Sequence, residues 1–289
     1  MKVRVERDLK DESAWQRAQM CLDWVWNAEH LSRPRKTVKR NVMTYSYSSK
    51  AYGMAEQHRE DLMDPLSLKV LQGKLEEHPF GHDKGLAASK YLAAHAYAAI
   101  EEVVQLPAEA MDFLQKLARA LAHEGKPLRW ITPVGVPLIN SYYKKRSKQV
   151  KLWLHDRGVR VPYTTKLAVG DLPEVNKSKA ANAVSPNFVH ACDAAHLLRT
   201  VNAAVAEGIT SIATVHDSFG CLASRAARFR KLIREEFVRM YQEHDVLAEV
   251  FEQAKADLSD PNDKRVPTNP PAKGPLKIEE TLKAEFAFA

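Results

Sequence analysis

A stretch near residue 217 combines strand-forming residues with a carboxylate that could bind a metal ion. Ile209 to Leu222 reads I-T-S-I-A-T-V-H-D-S-F-G-C-L, in which one apolar run precedes His216-Asp217-Ser218 and a shorter one follows. This pattern predicts two strands joined by a tight turn, with Asp217 at the tip. A carboxylate there would point into whatever cleft the hairpin faces. Asp and Ser are also common turn residues, so the pattern equally fits an ordinary solvated hairpin.

A second group of residues suited to chemistry lies between Leu31 and Ala55. This segment contains six lysines and arginines and no carboxylate. If it is helical after Pro34, residues four apart align on one face. The aligned residues are two cations, a thioether and a phenol: Arg35, Lys39, Met43 and Tyr47. Cations bind phosphates, and Met and Tyr offer apolar contact to a base or sugar, although a basic run is also typical of a solvated helix face.

The composition of the chain narrows the classes of protein to which it can belong. Its 289 residues carry 43 Lys and Arg against 36 Asp and Glu, a net charge of +7, which favours a polyanionic partner. Three widely spaced cysteines argue against a disulfide scaffold or a zinc ribbon and are compatible with a reducing cytoplasm: Cys21, Cys192 and Cys221. The first ten residues lack the apolar core of a signal peptide, and no apolar stretch is long enough to span a membrane. We therefore expect a cytoplasmic protein with no membrane partner.

The elements that would position these residues are mostly helices. Residues 11–30 are predicted to be helical, with three tryptophans in or near the core: Trp15, Trp24 and Trp26. Two Ala-rich helices with a break at Pro107 are expected over residues 86–123, and a short hairpin over residues 128–138. Residues 142–146 are expected to be a basic helix or loop, and residues 159–169 to be extended. A helix beginning near Pro186 precedes the hairpin, and two more helices follow it.

The helix before the hairpin carries residues that could bind a metal ion. They are His190, Cys192, Asp193 and His196. The two histidines are six residues apart, so they lack the spacing of four that places two ligands on one helix face. We therefore favour a polar stripe that faces a cleft over a zinc site.

Taken together, five motifs resemble the C-terminal third of the single-subunit bacteriophage RNA polymerases. The stretch from Arg35 to Ser49 is similar to the fingers motif of that family, in which a Lys precedes a Tyr by eight residues. The other four occur in the family's order: Trp130 to Pro137, Pro186 to Leu197, Val215 to Gly220, and the terminal Phe-Ala-Phe-Ala. The resemblance implies an α+β, mostly helical fold, a partial right-hand polymerase with fingers helices and a small antiparallel palm sheet. It assigns residues 1–125 to a fingers-like region, 126–259 to a palm-like region and 260–289 to a connector and tail.

The resemblance also implies a role for each candidate residue. Asp217 would be one of the carboxylates that hold Mg²⁺ for two-metal nucleotidyl transfer. Arg35 and Lys39 would neutralise the incoming triphosphate, with Met43 and Tyr47 completing the nucleotide site and Tyr47 helping to select ribonucleotides. His190 and Arg40 would contact nucleic acid, and the carboxylate of Ala289 would lie near the active site. The implied partners are a DNA template, an RNA transcript and nucleoside triphosphates in a bacterial host cell, with the gene carried by a phage or prophage.

Two departures from the family pattern limit what this chain would do alone. Ser48 stands where the family has Gly after the Tyr, which reduces the freedom of the backbone. The family's first metal motif contains an Asp-Gly pair, and no Asp-Gly pair occurs in this sequence. We therefore expect an isolated chain that is inactive without a companion carrying the missing motif, and exposed apolar surface where the missing parts would pack, with the three tryptophans as candidates. The alternatives are a non-catalytic nucleic-acid-binding remnant and a fragment of a related family A DNA polymerase.

Overall fold

The computed structural model describes residues 12–26, 33–156, 158–285 and 287, and in this part the chain is mostly helical. Its strands form two-stranded antiparallel sheets. The predicted α+β, mostly helical class is therefore confirmed. The chain divides into two compact units, Met1–Met111 and Asp112–Ala289. No helix among the described residues is both long and apolar enough to cross a membrane.

The first unit is built from helices packed around a long Ala-rich helix. The elements are α1 Glu12–Trp26, α2 Arg33–Tyr45, α3 Ala51–His58, a π-helix Arg59–Met63, α4 Asp64–Leu71, α5 Leu86–Val103 and the first residues of α6 Gln105–His123. Helix α5 packs against α1, α2 and α3. Its small residues allow this close approach, and Ala88 and Ala93 are each 1% exposed. Gly85, just before α5, has a left-handed φ of 84°, and a Cβ there would lie 2.5 Å from Met63 Sδ.

Two predictions for the first unit need adjustment. The break between α5 and α6 falls at Val104, and Pro107 lies in the first turn of α6, where a residue without an N–H costs little. Of the three tryptophans, Trp15 is 42% exposed, whereas Trp24 is half-buried with its ring centroid 5.8 Å from that of Phe80. The side chain of Trp26 lies outside the described residues.

Among the described residues, the second unit combines most of α6 and three further helices with three hairpins. Its elements after α6 are β1 Arg129–Ile131, β2 Pro137–Ile139, β3 Tyr143–Asp156, β4 Val159–Val175, α7 Lys177–Ala206, β5 Ile212–Val215, β6 Ser218–Cys221, a 3₁₀ turn Ala223–Arg225, α8 Ala226–Glu243, α9 Val246–Asp257 and a 3₁₀ turn Ile278–Leu282. Its main core joins α6, β1, α7 and α9, with Leu117, Trp130, Phe188 and Phe251 among the buried residues.

The structure corrects the prediction for residues 142–146 and confirms that residues 159–169 are extended, since they lie in β4. Residues 143–146 are strand, because the long strand β3 begins at Tyr143 and pairs with β4 in an antiparallel ribbon. The ribbon is almost entirely exposed. Its cross-strand contacts are local, such as the Arg160 guanidinium carbon 4.4 Å from the centre of the Trp153 ring.

Helix α7 begins nine residues before the predicted start at Pro186. Asn176 caps it, since its side-chain oxygen accepts a 3.0 Å hydrogen bond from the Lys179 amide. Pro186 therefore lies inside the helix and removes one backbone hydrogen bond. The helix continues because residues on both sides of Pro186 are buried in the core, with Val184 0% and Phe188 7% exposed.

Candidate functional site

The hairpin around Asp217 has the geometry that the sequence predicts. Val215 pairs with Ser218 across the two strands, so His216 and Asp217 form a two-residue turn. His216 has a φ of 54°, at the turn position where hairpins favour residues that tolerate positive φ. Both turn residues are exposed. The turn thus presents the Asp217 carboxylate to solvent.

The other face of this hairpin is fixed by apolar packing. Ile212, Phe219 and Cys221 pack on a buried cluster that includes Phe229 and Ile233 of α8. The alternation of inward and outward residues along a strand therefore sets which way the turn faces.

His196 is part of the support for the hairpin. It is 4% exposed, its ring centroid lies 5.9 Å from that of Phe219, and its Nε2 lies 2.8 Å from the Ile233 carbonyl oxygen, to which it donates. Burial lowers the pKa of His196, so the ring is neutral at pH 7. His196 therefore connects α7 to α8 and does not face the same side as the exposed His190.

A cavity of about 670 Å³ lies beside the Asp217 turn. It is lined by the hairpin, by α8 and by the C-terminal segment, including Asp217, Phe219, Phe229, Arg230 and Glu285. Among the described residues, no group of three or more His, Cys, Asp or Glu side chains is placed to hold a metal ion. A carboxylate oxygen is a suitable ligand for Mg²⁺, but the donors that the described residues bring together here are too few for a complete site.

The cations of the predicted stripe lie on α2 in the first unit. Arg35 and Lys39 are exposed, and no carboxylate of the described residues lies within ion-pair distance of either. Met43 is 54% exposed on the same helix. The helix ends at Tyr45, so Tyr47 lies in the turn that follows and not on the helical face that we predicted.

Ser48 adopts a left-handed conformation at the end of this helix. Its φ is 68°. The Ser48 amide donates to the Tyr45 carbonyl at 3.0 Å, and the Ser49 amide donates to the Thr44 carbonyl at 3.1 Å. These two bonds define a Schellman motif, in which the left-handed residue is usually Gly. Ser48 therefore stands at a position where the backbone conformation favours Gly, which is also the residue that the family resemblance leads us to expect there.

Arg40, beside Lys39 on α2, has a different environment. Its guanidinium lies 2.9 Å from Glu60 and 2.8 Å from Asp61 on the π-helix. The hydrogen bond with Glu60 and the charge of Asp61 raise its pKa. No sequence pattern predicted the π-helix, which brings these two carboxylates towards α2.

Helix α7 distributes its polar residues over different faces. His190 and Asp193 are exposed, whereas Cys192 is buried and burial raises the pKa of its thiol to about 12. Arg199 is held 2.7 Å from Glu243 and 3.2 Å from Glu236 of α8. His190 is not among the residues that line the cavity beside Asp217.

The candidate residues are divided between the two units. The α2 cations, Met43 and Tyr47 belong to the first, and Asp217 and His190 belong to the second. Ala289, whose carboxylate we expected near the active site, lies outside the described residues.

Comparison with known proteins identifies relatives for nearly the whole chain. A family model described as DNA-dependent RNA polymerase matches residues 2–289. The chain is 33% identical over 269 residues to the DNA-directed RNA polymerase of Enterobacteria phage K11, covering 88% of this chain and 28% of that protein. It is 32% identical over 268 residues to the T7 RNA polymerase of Escherichia phage T7, covering 88% of this chain and 29% of that protein. A chloroplastic DNA-directed RNA polymerase 3 of Nicotiana sylvestris is 30% identical over 258 residues, covering 88% of this chain and 23% of that protein.

These matches confirm the resemblance drawn from the five motifs and the partial polymerase fold that it implied. The chain spans less than a third of the length of these relatives. It belongs to the DNA-dependent RNA polymerase family of the bacteriophage type, and it corresponds to the C-terminal portion of those enzymes.

Proposed function

We propose that this chain forms the fingers and part of the palm of a DNA-dependent RNA polymerase, in which Asp217 supplies one carboxylate of the metal site. The observation that carries the proposal is the exposed carboxylate on a turn whose hairpin packs on α8 beside a cavity of about 670 Å³. Buried packing on one face of the hairpin holds the carboxylate in place, as a preorganised metal ligand requires. The reaction would occur in the cytoplasm of a bacterial host.

Helix α2 would bind the incoming nucleoside triphosphate. Arg35 and Lys39 project into solvent without carboxylate partners among the described residues, so both charges remain available to phosphate. Met43 would contact the base, and Tyr47 would contact the base and sugar. The assignment of residues 1–125 to the fingers and 126–259 to the palm goes with this proposal, as does a connector and tail over 260–289.

His190 and Arg40 would contact template and transcript. His190 is exposed on α7, which fits such a contact. Arg40 already shares its guanidinium with Glu60 and Asp61, so it would reach a phosphate only by exchanging one of these ion pairs. We therefore assign it the weaker contact of the two.

The metal requirement explains why a further chain would be needed. Bound Mg²⁺ would supply charge neutralisation and activation of the attacking hydroxyl. Asp217 would contribute oxygen ligands to it, but one carboxylate does not complete the coordination of two cations. We propose that a companion chain, or a further segment of a longer polypeptide, carries the missing aspartate motif.

A binding-only role is the second candidate, and it is favoured by a specific observation. No cluster of three possible metal ligands occurs in the part of the chain that the structure describes, whereas exposed cations are numerous. In that case the chain would bind a primed template without catalysing synthesis.

The proposal is tested by RNA synthesis on a primed template with magnesium. The chain is assayed alone and with a complement made of the N-terminal portion of a phage relative. We expect no synthesis by the chain alone, synthesis with the complement, and none when Asp217→Asn replaces the natural chain. Asp217→Asn should leave folding intact, because Asn and Asp have the same size and both suit turns.

Asp112→Asn is the matched control, since Asp112 is exposed in the same unit and outside the cavity lining. Synthesis by the isolated chain would contradict the need for a complement. Full activity of Asp217→Asn would contradict the role of Asp217. Template binding in a gel-shift assay, with no synthesis in any reconstitution, would favour the binding-only role.

A further inference from the structure

The segment that ends the described chain is held against α8 through its main chain. Arg234 donates through one terminal nitrogen to the Ala284 carbonyl at 2.5 Å and through the other to the Glu285 carbonyl at 3.1 Å. Arg230 donates to the same Glu285 carbonyl at 2.7 Å. Two arginines one turn apart on α8 thus bind consecutive carbonyls.

The environment of Arg234 makes this attachment a strong one. Its residue exposure is only 8%, so its charge is largely removed from water. A buried cation is costly unless it is hydrogen-bonded, and the carbonyls of the C-terminal segment provide those acceptors. Its Nε has no hydrogen-bond partner among the described residues, so the bonds from its terminal nitrogens to the C-terminal carbonyls offset its burial. The buried charge therefore favours the docked segment.

The attached segment forms one wall of the cavity beside Asp217. Glu285, whose carbonyl the two arginines share, lines that cavity together with Asp217 and Cys221. We propose that Arg230 and Arg234 are positioning residues that hold the C-terminal segment in place as this wall. The purpose of the wall rests on the proposed function, but its existence does not.

The hydrogen bonds from Arg230 and Arg234 to main-chain carbonyls differ in one respect from side-chain packing. Because the bonds go to carbonyl oxygens, they do not depend on which side chains the segment carries. Their loss should release the segment as a unit and open the cavity, while the rest of the second unit stays folded.

Cys221 is a natural reporter of this opening. It lines the cavity and is half-buried, whereas Cys21 and Cys192 are buried and burial raises the pKa of each thiol to about 12. Thiolates are the reactive form, so the two buried cysteines should react slowly with iodoacetamide in any folded variant. They serve as internal controls for global unfolding.

The experiment measures the alkylation rate of each cysteine by peptide mass spectrometry in the full 289-residue chain. Arg234→Gln should raise the Cys221 rate at least about fivefold, as expected when local opening exposes a site. Lys231→Gln is the matched control, because it removes the same charge from an exposed position of the same helix and should change nothing. The Cys21 and Cys192 rates should stay at their wild-type values.

An unchanged Cys221 rate in Arg234→Gln would overturn the proposal. If all three cysteines of that variant react faster, the variant has unfolded globally and Arg230→Gln is tested instead. Arg230 is exposed to solvent, so its replacement should disturb folding less. There a selective rise at Cys221 supports the proposal and no rise overturns it. None of these readings requires RNA synthesis, so an inactive reconstituted enzyme would count against the proposed function alone.

Discussion

At the scale of single residues, the pairing of charges separates neighbours on one helix. Arg40 is engaged by Glu60 and Asp61, whereas Arg35 and Lys39 are exposed and have no carboxylate partner among the described residues. A cation that is already paired must break a contact to bind phosphate, and a free one need not. The sequence showed six equivalent cations, and only the positions of the carboxylates distinguish them.

Lys39 provides the prediction at this scale. Lys39→Ala should lower kcat/KM for nucleoside triphosphate in a reconstituted enzyme by about 10- to 100-fold, because a hydrogen bond to a charged group contributes about 1.5–3 kcal/mol. The measurement is the rate of single-nucleotide extension of a primed template against triphosphate concentration.

Lys36→Ala is the control for that measurement. Lys36 is exposed on the same helix but lies off the stripe, so its loss should change kcat/KM by less than about threefold. Equal losses from both variants would show a general basic patch in place of a specific triphosphate contact.

At the scale of elements, the end of α2 carries strain that a single substitution can relieve. Ser48 holds the left-handed position of a Schellman motif with a φ of 68°. Non-Gly residues in this conformation cost about 1–2 kcal/mol, and Gly loses somewhat more chain entropy on folding. Ser48→Gly should therefore raise the free energy of unfolding by about 0.5–1 kcal/mol. Chemical denaturation of the isolated chain measures this change.

Ser46→Gly is the matched control two residues earlier. Ser46 lies in the turn before Ser48 and its hydroxyl donates to the Met43 carbonyl at 2.9 Å. Gly there should destabilise the chain by about 0.5–1 kcal/mol, since no positive φ is required. If Ser48→Gly destabilised the chain as well, the strain argument would be wrong and Ser48 would be held by its contacts.

The elements also show where sequence patterns succeed and where they fail. The Asp217 hairpin was predictable because a run rich in β-branched residues precedes a two-residue turn of suitable type and a shorter apolar run follows it. The start of α7 was not, since Pro186 imitates a first-turn proline and the true cap, Asn176, lies in a polar stretch. The β3–β4 ribbon was missed in part because its strands are exposed on both faces and show little burial periodicity.

Similar limits apply to the candidate site. Residue types and spacing singled out Asp217, Arg35 and Lys39 from the sequence. They could not place Tyr47, because the helix ends at Tyr45 and the periodicity assumed for the stripe stops there. They also missed Arg230 and Arg234, whose partners are carbonyls about fifty residues further along the chain. Every residue has a backbone carbonyl, so a pattern of side chains does not show which carbonyl will accept a hydrogen bond.

At the scale of the whole molecule, the chain has the family's motifs over less than a third of the length of its relatives. Each unit nevertheless has its own buried clusters. The Asp217 hairpin, by contrast, stands as a two-stranded sheet, and isolated two-stranded sheets are marginal without packing. Here the contacts with α8 supply that packing on one face only.

Exposed apolar side chains should therefore govern how the isolated chain behaves in solution. On α4, Leu68 is 54% and Leu71 is 81% exposed, and their spacing of three places them on one side of the helix. Apolar patches of this kind bind other surfaces. We expect the chain to bind a hydrophobic dye and to associate as its concentration rises, measured by dye fluorescence and sedimentation velocity.

Replacing both leucines by Gln should lower dye fluorescence and shift the association to higher concentration, because each exposed leucine contributes about 25 cal/mol per Å² of apolar area buried on contact. Lys69→Gln, an exposed change between them on the same helix, should leave both readings unchanged. If the double variant associates as the natural chain does, the surface through which the chain associates does not include these leucines of α4. A monodisperse chain that does not bind the dye would show instead that the described units cover their apolar surface well enough without the parts found in the longer relatives.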